Sequence, residues 1–177
     1  MKLSGFFTTG KGGRISSFYD NYFIIIINLS FLKGNRAIMH DDNYYLIMPA
    51  SGKGSRMSTP LPKQYLMLDN GSTILDQSLQ TLLSMKQISG CVIAISEDDE
   101  HFAMSPFSSH DKILATTIGG DERFHSVLNA LNELVKFAGE DDWVLVHDAV
   151  RPCIKKKDVE RLIKVVDNNP VGGILAT

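Results

Sequence analysis

From residue 44 onward, short apolar runs alternate with longer segments in which apolar residues recur at helical spacing. Runs such as YYLIM, CVIAIS and WVLVH are bounded by polar turns and are typical of buried strands. The pattern predicts, in order, strand 44–48, helix 74–85, strand 91–96, short helix 98–104, strand 113–118, helix 123–137, strand 143–147, helix 158–167 and strand 173–176. Because strands that alternate with helices form βαβ units, we expect an α/β fold with a mainly parallel sheet.

The first 38 residues differ from the rest in pattern and charge. They carry five Lys/Arg and one Asp, a net charge of +4, whereas residues 39–177 have a net charge of −6. The run FIIIINLSFL at 23–32 is apolar but too short to span a bilayer. A signal peptide and a transit peptide are alternatives, although no small-residue cleavage site follows. We expect residues 1–38 to be a leader outside the fold and residues 39–177 to form the domain.

Composition and charge narrow the class of partner. The chain is 44% apolar and 21% charged, as in ordinary globular proteins, and its formal net charge is −2. Nothing in this balance favours nucleic acid or a membrane as a partner. Cys91 and Cys153 lack zinc-ligand spacing, so free thiols in a reducing compartment are the simpler interpretation, with a single disulfide as the alternative. We expect a cytoplasmic protein, or a plastid protein if the leader is a transit peptide.

Three polar loops follow predicted strands, at 49–63, 119–126 and 147–153. In parallel α/β sheets, ligands bind at the carboxyl ends of the strands. Because these ends lie on the same edge of the sheet, we expect the three loops to meet there. This topological inference is the basis for predicting a ligand site.

The first loop combines glycines with cationic side chains. Gly52 and Gly54 lack Cβ atoms, which lets backbone N–H groups approach an anion, and Lys53, Arg56 and Lys63 supply positive charge. Neither a P-loop nor a complete GxGxxG motif is present. The alternative is a solvated glycine-rich turn, but the spacing GxGxR followed by PKQ favours a phosphate-binding loop.

The second loop, GGDERFHSV at 119–127, has groups suited to a pyrimidine. Asp121 or a carbonyl group can accept a hydrogen bond from the exocyclic amine of cytosine, and Ser126 can donate to its acceptors. The alternative is that Asp121 only caps the following helix. The two interpretations are compatible.

The third loop, HDAVRP at 147–152, contains two charged residues directly after a strand. Asp148 is placed to hold Mg²⁺ or a sugar hydroxyl, and Arg151 is placed to reach a phosphate. The alternative is an Asp148–Arg151 pair that only stabilises the turn.

Together, the motifs of these loops resemble those of the 2-C-methyl-D-erythritol 4-phosphate cytidylyltransferases. They are PASGKGSRM at 49–57 with PKQY at 62–65, GGDERFHSV at 119–127 and VHDAVRPC at 146–153. This family uses CTP in the non-mevalonate isoprenoid pathway. The resemblance covers about 44–177 and implies a Rossmann-like three-layer sandwich of the nucleotide-diphospho-sugar transferase type, with transfer of a cytidylyl group to 2-C-methyl-D-erythritol 4-phosphate and release of pyrophosphate.

The resemblance also implies roles for individual residues. Arg56 and Lys63 would act on the triphosphate as catalytic residues. Asp148 and Arg151 would bind the acceptor, and Asp148 would also bind Mg²⁺ or another divalent cation. The nucleotide would be bound by residues of the first two loops: Ala50, Ser51, Gly52, Gly54, Gly120, Asp121 and Ser126. Ser51 and Val150 stand where the family more usually has Ala.

The resemblance further implies a homodimer, and a C-terminal part beyond this chain that supplies more acceptor-binding residues. We therefore expect the chain by itself to bind CTP with Mg²⁺ but not to turn over. Two alternatives remain open. One is another nucleotidyltransferase, such as a ribitol-phosphate cytidylyltransferase or a sugar-phosphate pyrophosphorylase. The other is a non-catalytic CTP-binding fragment.

Overall fold

The computed structural model describes residues 23–29, 43–52, 61–139, 141–166 and 172–176. Its strands are β1 (Phe23–Asn28), β2 (Tyr44–Pro49), β3 (Ile88–Ile95), β4 (Ile113–Ile118), β5 (Trp143–His147) and β6 (Gly173–Ala176). Its α-helices are α1 (Ile74–Leu83), α2 (Arg123–Leu134) and α3 (Lys156–Val166), and short 3₁₀ turns lie at Lys63–Tyr65 and Phe102–Met104.

The six strands form a single sheet in the order β4-β3-β2-β5-β1-β6. Neighbouring strands β4, β3, β2 and β5 pair in parallel, whereas β1 pairs antiparallel with both β5 and β6. The α/β fold is therefore confirmed, and the sheet is mixed. Three of the four parallel strands, β2, β4 and β5, carry the loops of interest.

Two apolar clusters lie on opposite faces of this sheet and make the fold a three-layer sandwich. One cluster contains the buried leucines of α1 and the buried face of α3. The other contains Ala130 and Leu134 of α2, packed against alternate residues of the central strands. Because both faces of the central strands are covered, these strands read as continuous apolar runs.

Strand β1 differs from the expectation that residues 1–38 lie outside the fold. Ile24 and Ile26 are fully buried, and Ile26 is in register with Leu145 of β5 and Gly173 of β6. Ile25 and Ile27 pack against the cluster on the opposite face. Because both faces of this strand are covered, its sequence is continuously apolar. It therefore lacks the alternation of apolar and polar residues that identifies a strand with one exposed face. Residues 1–22 and 30–42, which include the proposed domain start at Met39, lie outside the described residues.

Helix boundaries depart from the prediction where polar side chains bind the backbone. Thr73 caps α1, and its side chain accepts a hydrogen bond from the Asp76 amide at 3.0 Å. The short helix predicted at 98–104 is reduced to a 3₁₀ helix at Phe102–Met104, and the Asp99 carboxylate accepts hydrogen bonds from the amides of residues 101 and 102 before it. The N-cap of α2 is Glu122, without a side-chain bond, so the capping role suggested for Asp121 is wrong.

Two further expectations concern the thiols and the membrane. Cys91 is buried and Cys153 is exposed, and both are free thiols as expected. Burial raises the pKa of the Cys91 thiol. Within the described ranges, none of the helices has the length and apolar character needed to cross a bilayer.

Candidate nucleotide-binding site

Side-chain contacts join the three loops at the carboxyl ends of β2, β4 and β5. The hydroxyls of Ser51, in the first loop, and Ser126, in the second, lie 2.8 Å apart. Arg123, at the start of α2, donates from Nε to Oδ1 of Asp148 in the third loop at 2.6 Å. The loops therefore meet at one edge of the sheet, as the topological inference predicts.

The start of the first loop is hydrogen-bonded to the neighbouring strand β3. Ala50 is 2% exposed, and its amide donates to the carbonyl of Ala94, at the end of β3, at 2.7 Å. Gly52 is exposed, and a Cβ built on it would meet no atom within 4 Å. The open side of this backbone fits the prediction of close anion approach. Gly54 and Arg56 lie outside the described residues.

The return of the first loop is anchored by residues to which the sequence interpretation gave no role. Gln64 donates from Nε2 to the carbonyl oxygen of Ala50 at 2.6 Å, and Tyr65 donates its hydroxyl to Oδ2 of Asp99 at 2.7 Å. Burial, followed by the bond to Asp99, raises the pKa of Tyr65, which therefore stays a neutral donor. Lys63 is partly buried at the start of this turn.

The second loop packs tightly on the first. The amide of Gly120 donates to Oγ of Ser126 at 3.1 Å, and Ser126 is 1% exposed. A Cβ on Gly119 would overlap Cβ and Oγ of Ser51, so glycine is required there by close packing. Asp121 is exposed at the rim. The hydroxyl of Ser126 is thus engaged within the protein, whereas the carboxylate of Asp121 faces solvent.

In the third loop, one carboxylate is shared by two arginines. Asp148 accepts from Nε of Arg123 at 2.6 Å through Oδ1 and from Nε of Arg151 at 3.0 Å through Oδ2. The Asp148 side chain is 16% exposed, against 40% and 38% for the two arginines. His147 donates from Nε2 to the carbonyl of Arg151 at 3.0 Å and completes the turn. The suggested Asp148–Arg151 turn pair is therefore present.

Arg123 belongs to the site although the sequence interpretation assigned it no role. Its position inside the GGDER motif was the available signal, but the bond to Asp148 spans 25 residues and is invisible to local patterns. With Arg151, it places two guanidinium groups around one carboxylate. Such a site suits phosphate groups, which arginine recognises through paired N–H donors.

The described residues do not fit a resident magnesium ion. In the described part of the chain, no group of three or more His, Cys, Asp or Glu side chains could hold a metal. Both oxygens of Asp148 already face guanidinium groups, whose charge disfavours a nearby divalent cation.

Comparisons with known proteins agree with this geometry. Residues 44–177 match the family model described as IspD: 2-C-methyl-D-erythritol 4-phosphate cytidylyltransferase. The chain is 55% identical over 141 residues to the enzyme of that name from Ruthia magnifica, a match that covers 76% of this chain and 59% of the relative. It is 46% identical over 145 residues to the one from Vesicomyosocius okutanii, covering 77% of this chain and 60% of the relative.

A solved structure shows the same fold. The 2-C-methyl-D-erythritol 4-phosphate cytidylyltransferase of Francisella tularensis is 30% identical, with a TM-score of 0.60 over 77% of this chain and 70% of that one. The chain spans 59% and 60% of the two curated relatives named above. On the family match and these identities, the chain belongs to the IspD family of 2-C-methyl-D-erythritol 4-phosphate cytidylyltransferases.

Proposed function

We propose that this chain binds CTP at the edge formed by its three strand-end loops and serves the transfer of a cytidylyl group to 2-C-methyl-D-erythritol 4-phosphate. The observation that carries the proposal is the pair of contacts that join the loops, Ser51 to Ser126 and Arg123 to Asp148. They bring the motifs of the family together at the sheet edge where α/β proteins bind ligands.

The residue roles follow the position of each loop. By the motif of the family, Arg56 and Lys63 hold the triphosphate, with Ala50, Ser51, Gly52 and Gly54 in the same loop. Gly120 and Asp121 receive the cytosine, with the exposed carboxylate of Asp121 available to its amine. Ser126 stabilises this loop by accepting a hydrogen bond from the Gly120 amide. Asp148 and Arg151 bind the acceptor, and Arg123 orients Asp148.

The proposed reaction needs positively charged groups in the site and does not need a general base. A phosphate oxygen of the acceptor attacks the α-phosphorus of CTP, a new P–O bond forms, and the bond to the β-phosphate breaks as pyrophosphate leaves with the electron pair. The nucleophile is already ionised, so no proton has to be removed. The barrier comes largely from bringing two anions together, and fixed positive groups lower it. In a chain extended to the length of the relatives, loss of Arg56 or Lys63 should therefore lower kcat by about 10²–10³, the scale for one preorganised donor.

Three wider features belong to the same proposal. Mg²⁺ enters with the triphosphate as part of the nucleotide substrate, which agrees with the lack of a cluster of three or more metal-ligating side chains among the described residues. Homodimer formation is proposed from the family resemblance. A cytoplasmic location is proposed because the relatives named above are bacterial.

Calorimetric titration tests the nucleotide half of the proposal. CTP with Mg²⁺ should bind, and UTP with Mg²⁺ should bind at least about 10²-fold more weakly, because a pocket built for the cytosine amine leaves its acceptors unpaired with uracil. Equal affinity would point to a general pyrophosphorylase. Product analysis with methylerythritol phosphate and with ribitol phosphate tests the acceptor half, and it uses a chain extended to the length of the relatives, because the chain by itself is expected not to turn over. Product from ribitol phosphate alone would favour the ribitol-phosphate enzyme, and CTP binding without either product would favour a non-catalytic nucleotide-binding role.

A further inference from the structure

One buried amide ties together the two ends of the first loop. Gln64 is 2% exposed, and its Nε2 donates to the carbonyl oxygen of Ala50 at 2.6 Å, across a separation of 14 residues. Ala50 is itself held by the Ala94 carbonyl at 2.7 Å. These two hydrogen bonds therefore fix both ends of the first loop, at Ala50 and next to Lys63, relative to strands β2 and β3.

The turn that follows Lys63 transmits this constraint. The amide of Tyr65 donates to the carbonyl of Pro62 at 2.9 Å, and the amide of Leu66 donates to the carbonyl of Lys63 at 3.1 Å. In a single 3₁₀ turn the backbone of Lys63 cannot move independently of Gln64. The side-chain bond of Gln64 thus sets where the lysine stands relative to the start of the loop.

The partner of Gln64 is a backbone acceptor, the Ala50 carbonyl, which would lose this hydrogen bond at a cost to stability if the amide were removed. An apolar side chain could fill the same space but could not satisfy that carbonyl. The amide of Gln64 does what an apolar residue cannot, because it fixes a direction and a distance to the Ala50 carbonyl. That property matters where a neighbouring cation must meet a ligand within a few tenths of an ångström.

We propose that Gln64 is a positioning residue: its amide holds Lys63 in register with the backbone of Ala50, Ser51 and Gly52, so that the lysine meets the β- and γ-phosphates of the nucleotide. This inference rests on the proposed function and deepens it, because it names the group that aligns the triphosphate contact.

The experiment compares the affinities of the whole chain for CTP and for CMP, both with Mg²⁺. Their ratio isolates the contribution of the two outer phosphates. Lys63→Ala should lower the ratio by about tenfold, as expected for one charge-assisted hydrogen bond. Gln64→Leu should lower it to a similar extent with unchanged CMP affinity, and adding Gln64→Leu to Lys63→Ala should lower it no further.

Two variants separate positioning from general damage. Gln77→Leu is the matched control, since Gln77 also pairs through its amide, with Asn70 at 2.8 Å, but on the exposed side of α1. It should leave the ratio unchanged. Gln64→Glu keeps the shape but loses the donor, and burial raises the pKa of the introduced carboxyl. As the pH falls, the protonated group should donate to the Ala50 carbonyl again and restore the ratio towards that of the original chain measured at the same pH.

The outcomes are distinguishable. A chain that prefers CTP to CMP, and keeps that preference in Gln64→Leu and Gln64→Glu, overturns the inference and leaves the proposed function standing. Equal losses of CTP and CMP affinity in the folded variants overturn it as well, because they indicate a general disturbance of the pocket. Failure of the unaltered chain to bind CTP overturns the proposed function and, with it, the inference.

Discussion

The burial of strand β1 makes a quantitative prediction about stability. Ile26 is fully buried between β5 and β6, in register with Leu145 and Gly173. If residues 23–28 belong to the core, Ile26→Ala should destabilise the whole domain. If they are a detachable leader, the substitution should have almost no effect.

The expected loss follows from what the side chain touches. Ile26→Ala removes three carbon atoms from the core, worth about 2.4 kcal/mol at about 0.8 kcal/mol per buried CH₂. The space left behind adds a cavity term, since such substitutions cost about 2–5 kcal/mol in total. A loss of about 3 kcal/mol in the free energy of unfolding is therefore expected, equivalent to a fall of about 6–12 °C in Tm for a chain of this size.

Urea unfolding followed by tryptophan fluorescence is the assay. The sole tryptophan, Trp143, lies in β5 and pairs in register with Asn28 of β1, so it reports on this part of the sheet. Ile174→Ala is the matched control on the neighbouring strand β6. Ile174 is 62% exposed, so the same substitution there should cost about 1 kcal/mol or less.

Equal midpoints for the two variants would refute the burial of β1. The same conclusion would follow if deletion of residues 1–38 left the unfolding midpoint unchanged, as the sequence interpretation expects. Burial instead implies that the deletion lowers the midpoint and exposes the paired edges of β5 and β6, which promotes aggregation.

Three further predictions concern the site. Gly119→Ala should lower both stability and CTP affinity, because the new Cβ overlaps Ser51, and melting curves with CTP titrations check this. Arg123→Ala should cost less than about 1 kcal/mol of unfolding free energy, since its pair with Asp148 is partly exposed, and the cost should shrink in high salt. Tyr65 has a raised pKa, so its contribution is complete below the ordinary value of 10.0 and is lost as the pH rises above it. Tyr65→Phe should flatten that alkaline loss in denaturation curves.

Much of the parallel part of the fold could be predicted because its signals are local. Apolar runs bounded by polar turns located β2, β3, β4 and β5, and the known preference for parallel βαβ units placed their loops at one edge. The segment 23–28 could not be placed this way. Its continuous apolar character fits a strand covered on both faces as well as it fits a segment outside the fold, and only the partners β5 and β6 decide between them.

The parts of the site that were not predicted are contacts between residues far apart in sequence. The bond from Gln64 to Ala50 and the pairing of Arg123 with Asp148 depend on how strands and helices pack, and no spacing rule reveals them. The N-cap of α2 shows instead that a local sequence rule can suggest the wrong residue. A local rule suggested Asp121 as one possible cap, but the N-cap of the helix is Glu122.

The central claim is that the carboxyl-end loops of β2, β4 and β5 together form the CTP site. Backbone amide shifts measured by NMR during titration with CTP and Mg²⁺ test it most directly. The largest shifts should fall at 50–52, at 119–121 and at 148–151, with a smaller response at Lys63 and Gln64. Shifts concentrated at the opposite edge of the sheet, around Asp141 and Asp142, or confined to one of the three loops, would contradict the claim.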